Sequence, residues 1–206
     1  MHHWALELAD YRRTVAEAYA DARAAGSSAE AWRAWRDRRD ALIGPHPQSP
    51  LPEAGRTPDW TTPFFDHDPA WRVSGTPTPA AEPVTYDIPH SADGFTTFAE
   101  VGQVAFAVDG QPLTLTMFWL DAYGGGLFLP FRDDTGGDQT YGGGRYLLDT
   151  VKGADLGVNG QGRLILDFNY AYHPSCAWND QWSCPLAPPA NRLPVSVTAG
   201  EQLPLG

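Results

Sequence analysis

The sequence predicts a mainly β protein, an antiparallel meander that forms a sandwich or a partly open barrel, with an N-terminal helical hairpin packed on it. Glycine and proline supply 21 and 19 of the 206 residues, which favours turns and short strands over long helices. Asp109-Gly110 separates two stretches of alternating apolar residues, a pattern typical of a two-residue β-hairpin. Near the N-terminus, apolar residues instead recur at intervals of three and four, which is typical of an amphipathic helix.

Residues 1–44 are predicted to form a hairpin of two helices. The first helix ends at Gly26 and carries one apolar stripe, formed by Trp4, Leu8, Tyr11, Val15 and Tyr19. Ser27 is followed three residues later by Glu30, the pattern of a capping box, so Ser27 is the expected N-cap of the second helix. The second helix is expected to bury Trp32, Trp35, Leu42 and Ile43. Because neither helix can bury its stripe alone, the hairpin must pack on the rest of the chain.

Residues 45–94 are rich in proline and are predicted to form an ordered strap. Proline lacks a backbone N–H, so this segment is expected to contain neither a regular helix nor a central strand. It nevertheless contains large aromatic residues that a disordered linker would lack, namely Trp60, Phe64, Phe65 and Trp71. We therefore expect the strap to cross the body of the protein and to place these side chains in it.

Residues 95–206 are predicted to form the antiparallel β domain, which with the other two segments makes one compact unit. The Asp109-Gly110 turn determines the register of its first hairpin. The expected pairs are Val108 with Gln111, Phe106 with Leu113, Val104 with Leu115, Gly102 with Met117 and Glu100 with Trp119. Two Tyr-Gly-Gly-Gly repeats, at Tyr123 and Tyr141, predict further hairpin turns, so residues 95–170 should form consecutive antiparallel hairpins.

The charge and the hydropathy pattern exclude several classes of partner. The net charge of −11 argues against binding to nucleic acids and to anionic membranes. No apolar run approaches the ~20 residues that a membrane-spanning helix needs. The first residues lack the apolar core of a signal peptide, so a cytoplasmic protein is expected. No cofactor is expected, and the oligomeric state stays open.

The stretch from Leu164 to Cys184 is the densest in polar and aromatic side chains, and it predicts a binding site. If its first part is a strand, Asp167 and Asn169 lie side by side on the less apolar face. Arg145 belongs to a preceding strand, and its planar guanidinium suits a carboxylate or phosphate. The predicted ligand-binding residues are Tyr141, Arg145, Asp167, Asn169 and Tyr172. The alternative is a plain salt bridge between Arg145 and Asp167, and no catalytic residue is assigned.

His173, Cys176 and Cys184 allow a second hypothesis, a zinc site. A structural zinc ion needs four ligands, and here only a distant group such as Asp180 could be the fourth, so we expect no metal. The two cysteines could instead form a local disulfide or remain as buried thiols, and they are expected to lie close enough for contact. A nucleophilic Cys176 with His173 as its base is a further alternative.

Several motifs together resemble one protein family. They are Phe131-Arg-Asp, Thr140-Tyr-Gly-Gly-Gly-Arg-Tyr-Leu, Asp167-Phe-Asn-Tyr-Ala-Tyr-His-Pro-Ser-Cys, Ser183-Cys-Pro-Leu and Pro188-Pro-Ala-Asn-Arg-Leu. The combination is similar to the bacterial and archaeal "domain of unknown function 1684" family over almost the whole chain. The resemblance implies no activity, because the family has none assigned. The residues themselves favour a small-molecule site, for binding or catalysis of a possibly anionic ligand; the alternatives are a non-enzymatic interaction protein and the metal site.

Overall fold

A computed structural model describes residues 3–204 and confirms the predicted fold class. An antiparallel sheet forms a nearly closed barrel, and two N-terminal helices pack against it. The helices are α1 (His3–Ala25) and α2 (Ala29–Ile43). The strands are β1 (Arg72–Pro89), β2 (Phe95–Val108), β3 (Gln111–Leu120), β4 (Leu127–Phe131), β5 (Arg145–Asp149) and β6 (Leu164–Asp167). Their order in the sheet is β5-β4-β3-β2-β1-β6.

The helical hairpin has the predicted layout but a different N-cap. The side-chain oxygen of Ser28, not that of Ser27, accepts a hydrogen bond from the backbone N–H of Ala31 at 3.2 Å. Gly26 follows α1 in the left-handed region with φ of 85°, and Ser27 lies between it and the N-cap Ser28. Of the helices within residues 3–204, none is both long and apolar enough to cross a membrane.

The second helix attaches the hairpin to the sheet through its aromatic residues. Trp32 and Trp35 are buried as predicted, with 4% and 3% exposure. The indole N–H of Trp32 donates to the carbonyl of Asn169 at 2.9 Å, and the ring of Trp35 lies 4.7 Å from that of Tyr170. These contacts belong to a core cluster that joins the helices to sheet residues such as Phe118. A separate cluster, formed by the strands and the C-terminal segment, fills the rest of the body.

The expectation that residues 45–94 contain no central strand, and that the β body begins near Phe95, was wrong. Strand β1 lies in this segment, between β2 and β6, although it contains four prolines, at positions 77, 79, 83 and 89. It pairs with β6 over Arg72–Gly75 alone, so most of its length has a partner on one side. Proline is tolerated on an edge because its missing N–H is not needed there. The register shift between Pro79 and Val84 also interrupts the pairing with β2.

The remaining part of the strap inserts its aromatic side chains into the body, as predicted. Phe64 packs edge-on against Trp32 and Trp35 of α2, at ring distances of 6.0 and 5.9 Å. Trp71 packs edge-on against Phe168 at 5.7 Å. The strap thus contacts α2 through Phe64 and the 3-10 turn after β6 through Trp71.

The first hairpin confirms the predicted turn and four of the five predicted pairs. Asp109 and Gly110 have φ of 49° and 80°, as the two-residue turn requires. The fifth pair was wrong, because Glu100 lies opposite Phe118 instead of Trp119. The register shifts between Glu100 and Gly102, where one extra residue of β2 forms a bulge.

The last strand departs most from expectation. Strands β2 to β5 form consecutive antiparallel hairpins, but β6 pairs with β1 and not with β5. It also ends at Asp167, and Phe168–Tyr170 form a 3-10 turn. An isolated bridge between Tyr146 and Tyr172 brings the segment after β6 beside β5, which nearly closes the barrel.

Candidate functional site

The predicted site residue Arg145 is fully buried and is used to hold the C-terminal segment. Its guanidinium donates to the backbone carbonyls of Val197, Ala199 and Glu201 and to the carboxylate of Asp133, the last at 3.2 Å. Burial lowers the pKa of Arg145, and the charge of Asp133 opposes that shift. The two terminal nitrogens of its guanidinium are therefore already hydrogen-bonded to acceptors within the protein.

Asp167 and Asn169 lie together as predicted, but a turn and not a strand face brings them together. The carboxylate of Asp167 accepts from the backbone and side-chain N–H groups of Asn169, at 3.1 and 2.9 Å. Its partner is Arg72 on β1, with 2.7 Å between Nη1 and Oδ2. The alternative of a salt bridge between Arg145 and Asp167 was thus wrong, because β6 pairs with β1 and each group has a different partner.

Tyr141 is half-buried in the loop before β5, whereas Tyr172 lines a cavity. The backbone N–H of Tyr141 donates to Nε2 of His173 at 3.1 Å, and its hydroxyl lies 3.7 Å from Sγ of Cys176. Tyr172 contributes to the wall of a cavity of about 430 Å³ between α1 and the β body. Of the predicted residues, Tyr172 is the member that lines this cavity.

One wall of the cavity is the apolar stripe of the first helix. The lining includes Trp4, Leu8, Tyr11, Val15 and Tyr19, and Tyr19 is the stripe residue that is deeply buried, at 2% exposure. Trp4 is 56% exposed. The hairpin was predicted to pack on the rest of the chain, and it does so, but the N-terminal part of the stripe is only partly covered. Trp182 and Tyr172 supply apolar surface on the opposite side.

The charged groups in the cavity lining are all cationic. Arg12, Arg39 and Lys152 line it, and no carboxylate does so among residues 3–204. Lys152 is the single lysine of the chain. Burial lowers the pKa of Lys152, whereas the negative charge of Asp149, 3.3 Å away, raises it. The second effect is part of a net increase in the pKa of Lys152. The lysine is therefore charged at neutral pH.

Behind the cavity wall lies a buried ionic network that positions Arg39. Nε and Nη2 of Arg39 approach Oε1 of Glu201 at 2.7 and 2.5 Å, and the other carboxylate oxygen accepts from the backbone N–H of His173 at 2.7 Å. The guanidinium also lies over the ring of Tyr172, 5.0 Å from its centre. Sequence reasoning missed Arg39, Glu201 and Lys152, because no local pattern distinguishes them from other charged residues. Arg39 in particular lies within a run of five charged residues, 36–40.

His173 is held as a neutral, buried side chain. Burial, together with the charges of Arg145 and Arg39, lowers its pKa well below 6.5. Nε2 accepts from the backbone of Tyr141, so the proton resides on Nδ1, which faces Glu201 at 3.7 Å. Both ring nitrogens thus face groups other than Cys176, which leaves the hypothesis of a Cys176–His173 nucleophile without its contact.

The two cysteines are buried free thiols, and each shifts the pKa of the other, which supports their predicted proximity. Cys184 lines both the first cavity and a second one of about 250 Å³. The second cavity has aromatic walls that include Phe98, Phe128 and Tyr146, and the two cavities share Lys152, Ser183 and Cys184. In the part of the chain that the structure describes, no cluster of three or more His, Cys, Asp or Glu side chains could hold a metal ion.

Comparisons with known proteins agree with the resemblance seen in the sequence. The family model described as "Protein of unknown function (DUF1684)" matches residues 60–202. Among solved structures, the chain is similar to the solution NMR structure of an uncharacterized protein of Haloarcula marismortui, with 39% identity and a TM-score of 0.60. That match covers 84% of this chain and 92% of the archaeal one. None of the curated proteins matches.

Proposed function

This chain belongs to the DUF1684 family of proteins of unknown function, and from the cavity between α1 and the β body we propose that it binds a small apolar anion. The observation that carries the proposal is the composition of the lining: apolar and aromatic walls with three cations and no carboxylate, within residues 3–204. The site lies on the β domain beside Tyr172, one of the residues that the sequence analysis selected.

The size of the cavity and its apolar wall support a small organic ligand. A volume of about 430 Å³ falls in the range of roughly 300–1,000 Å³ that is usual for such sites. On α1, Trp4 is exposed, and the partly buried Leu8 and Tyr11 also line the cavity, so the three side chains offer apolar surface to a ligand. Burial of apolar ligand surface against these side chains would supply most of the binding free energy.

The charges of the lining support an anionic group on the ligand. The protein as a whole has a net charge of −11. The cavity lining has the opposite charge, because it contains three cations and no carboxylate within the described residues. Arg39 is neutralised by Glu201, and Lys152 shares its charge with Asp149. Arg12 forms no ion pair with the residues that the structure describes, which makes it the most available partner for a carboxylate or phosphate.

A titration with matched ligands tests the proposal. Decanoate and 2-naphthoate are compared with 1-decanol and 2-naphthamide by isothermal titration calorimetry. We expect each anion to bind at least tenfold more tightly than its neutral counterpart. Absence of binding by both anions, or equal affinity for the members of each pair, would contradict the proposed anionic ligand.

Two neighbouring arginines provide a matched control. Arg12 lines the cavity, whereas Arg13 points elsewhere on α1 and pairs with Asp10 at 2.8 Å. Arg12→Gln should weaken the binding of 2-naphthoate several-fold, and Arg13→Gln should leave it unchanged. Equal effects of the two substitutions would mean that general charge, not the cavity, attracts the ligand.

The single lysine locates the ligand independently. Reductive methylation with ¹³C-formaldehyde labels Lys152 and the N-terminal amine alone, because the chain has no other amine. The ¹³C-methyl signal of Lys152, assigned with Lys152→Arg, should shift during the titration with 2-naphthoate. A saturable heat of binding without any shift of this signal would place the ligand elsewhere.

A further inference from the structure

Cys176 and Cys184 form a buried thiol pair that the proposed ligand site does not use. Cys176 lies in a 3-10 turn, Ser175–Ala177, and Cys184 comes directly before Pro185. The backbone N–H of Cys184 donates to the hydroxyl of Ser91 at 3.2 Å, and its carbonyl accepts from the N–H of Ser91 at 2.9 Å. Both backbone hydrogen-bonding groups of Cys184 are thus held by Ser91, and its thiol lies close enough to Cys176 to shift the pKa of that residue.

The sulfur of Cys176 lies beside groups that favour its thiolate. The hydroxyl of Tyr141 is 3.7 Å from Sγ of Cys176. Cys184 first, and then Ser91 and Tyr141, lower the pKa of Cys176 to about 6 against the cost of burial. Tyr141 remains a donor, because burial and the contact with Cys176 raise its pKa to about 12. The same contact raises the pKa of Cys184, which keeps its proton.

This environment differs from that of an inert core thiol. A buried cysteine in apolar surroundings has a raised pKa and little reactivity, whereas convergent donors favour the thiolate, which is the nucleophile. A second thiol in contact provides the group that resolves a mixed disulfide. The exposure of the pair, 6% and 7%, admits only small reagents, and Cys184 borders both cavities.

We propose that Cys176 and Cys184 are a thiol–disulfide exchange site whose substrate is a small organic disulfide. The thiolate of Cys176 attacks one sulfur of the substrate, its S–S bond breaks, and one thiolate leaves. Cys184 then gives its proton to the first thiolate and attacks Sγ of Cys176. The bond between Cys176 and the substrate sulfur breaks, and the second thiolate leaves and takes a proton from water. The chain is oxidised by two electrons to the Cys176–Cys184 disulfide, and the substrate is reduced to two thiols.

The reaction of the full chain with 2-hydroxyethyl disulfide tests this site. Intact-mass spectrometry should show a loss of two hydrogen atoms with no retained adduct, and thiol titration should fall from two to zero. A Cys184→Ser variant should stop at the mixed disulfide, with one mercaptoethanol group on Cys176. Stable adducts on both cysteines of the unmodified chain, or two unreacted thiols in the folded protein, would overturn the proposal.

The pH dependence of alkylation separates a reactive pair from two accidental neighbours. In the Cys184→Ser variant, whose serine hydroxyl can still donate, iodoacetamide should react with Cys176 with a midpoint near pH 6. In Cys176→Ser, Cys184 should react with a midpoint at least two pH units higher. Tyr141→Phe should move the Cys176 midpoint upward, since it removes one donor. If a variant is unstable, peptide mapping of the alkylated unmodified chain gives the same comparison. Equal midpoints for the two cysteines would contradict the proposed roles.

Discussion

Glu201 near the C-terminus and Arg39 in α2 form a nearly inaccessible ion pair, with side-chain exposures of 0% and 9%. The contact joins three parts of the chain that are distant in sequence, because Glu201 also accepts a hydrogen bond from the backbone of His173. It therefore connects the helical hairpin to the barrel and holds Arg39 at the cavity wall.

Loss of one partner of this pair is expected to be costly. Glu201→Ala should lower the free energy of unfolding by ~3–5 kcal/mol, because the charge of Arg39 would remain buried without its partner. Urea denaturation followed by circular dichroism measures the change. The neighbouring Arg38 provides the control: its pairs with Glu17 and Asp21 are largely exposed, so Arg38→Ala should cost no more than ~1 kcal/mol. Similar costs for the two variants would show that the buried pair does not anchor the hairpin.

His173 should make the protein less stable in mild acid. Burial first, and then the charges of Arg145 and Arg39, lower its pKa well below 6.5, so the unfolded chain binds a proton at pH values where the folded protein does not. Stability from this group is complete above the unfolded pKa of 6.5 and is lost as the pH falls toward the folded pKa. The slope is up to ~1.4 kcal/mol per pH unit below about pH 6.5.

Denaturation curves collected between pH 5 and pH 7 test this slope. The His173→Gln variant should have a flatter profile than the unmodified chain, even if it is less stable at neutral pH. His3, whose side chain is 89% exposed, is the control, and His3→Gln should keep the original slope. An unchanged slope in His173→Gln would assign the acid sensitivity to other groups.

Asp167 is expected to stabilise the turn after β6 and not to depend on Arg145. Asp167→Ala should cost about 2–3 kcal/mol, less than for a fully enclosed pair, because Arg72 is 26% exposed. The double variant Arg72→Met with Asp167→Ala should cost less than the sum of the single changes, since the two groups interact. Arg145→Met combined with Asp167→Ala should be additive. Coupling of Asp167 to Arg145 in place of Arg72 would contradict the observed pairing.

The two ends of the helical hairpin should differ in their contribution to stability. Trp4→Ala should change the free energy of unfolding by less than ~1 kcal/mol, because this side chain is 56% exposed beside the cavity. Trp32→Ala should cost ~3–5 kcal/mol, because the side chain is enclosed and its indole donates to Asn169. Thermal denaturation of both variants checks the comparison. A large cost at Trp4 would mean that the stripe of α1 packs on the body and leaves no open wall for a ligand.

Local patterns in the sequence determined the helices, the first β-hairpin and the family. The stripe of α2 and its end at Gly44 depend on contacts three or four residues apart, and the Asp109-Gly110 turn determines the register within its own hairpin. The same short-range physics predicted that Cys176 and Cys184 meet, because both lie at the ends of one loop. Asp167 and Asn169 are likewise together because they are two residues apart.

The tertiary structure alone decided the pairing of β6 with β1, the bulge at Glu100 and the partners of the buried charges. Asp167 lies 95 positions from Arg72, and Glu201 lies 162 positions from Arg39, so no local spacing could reveal either pair. A buried charge needs a partner, but the sequence does not say which of many opposite charges supplies it. The cavity has the same origin, because its walls come from α1, α2 and the segments around Lys152 and Tyr172, which only folding brings together.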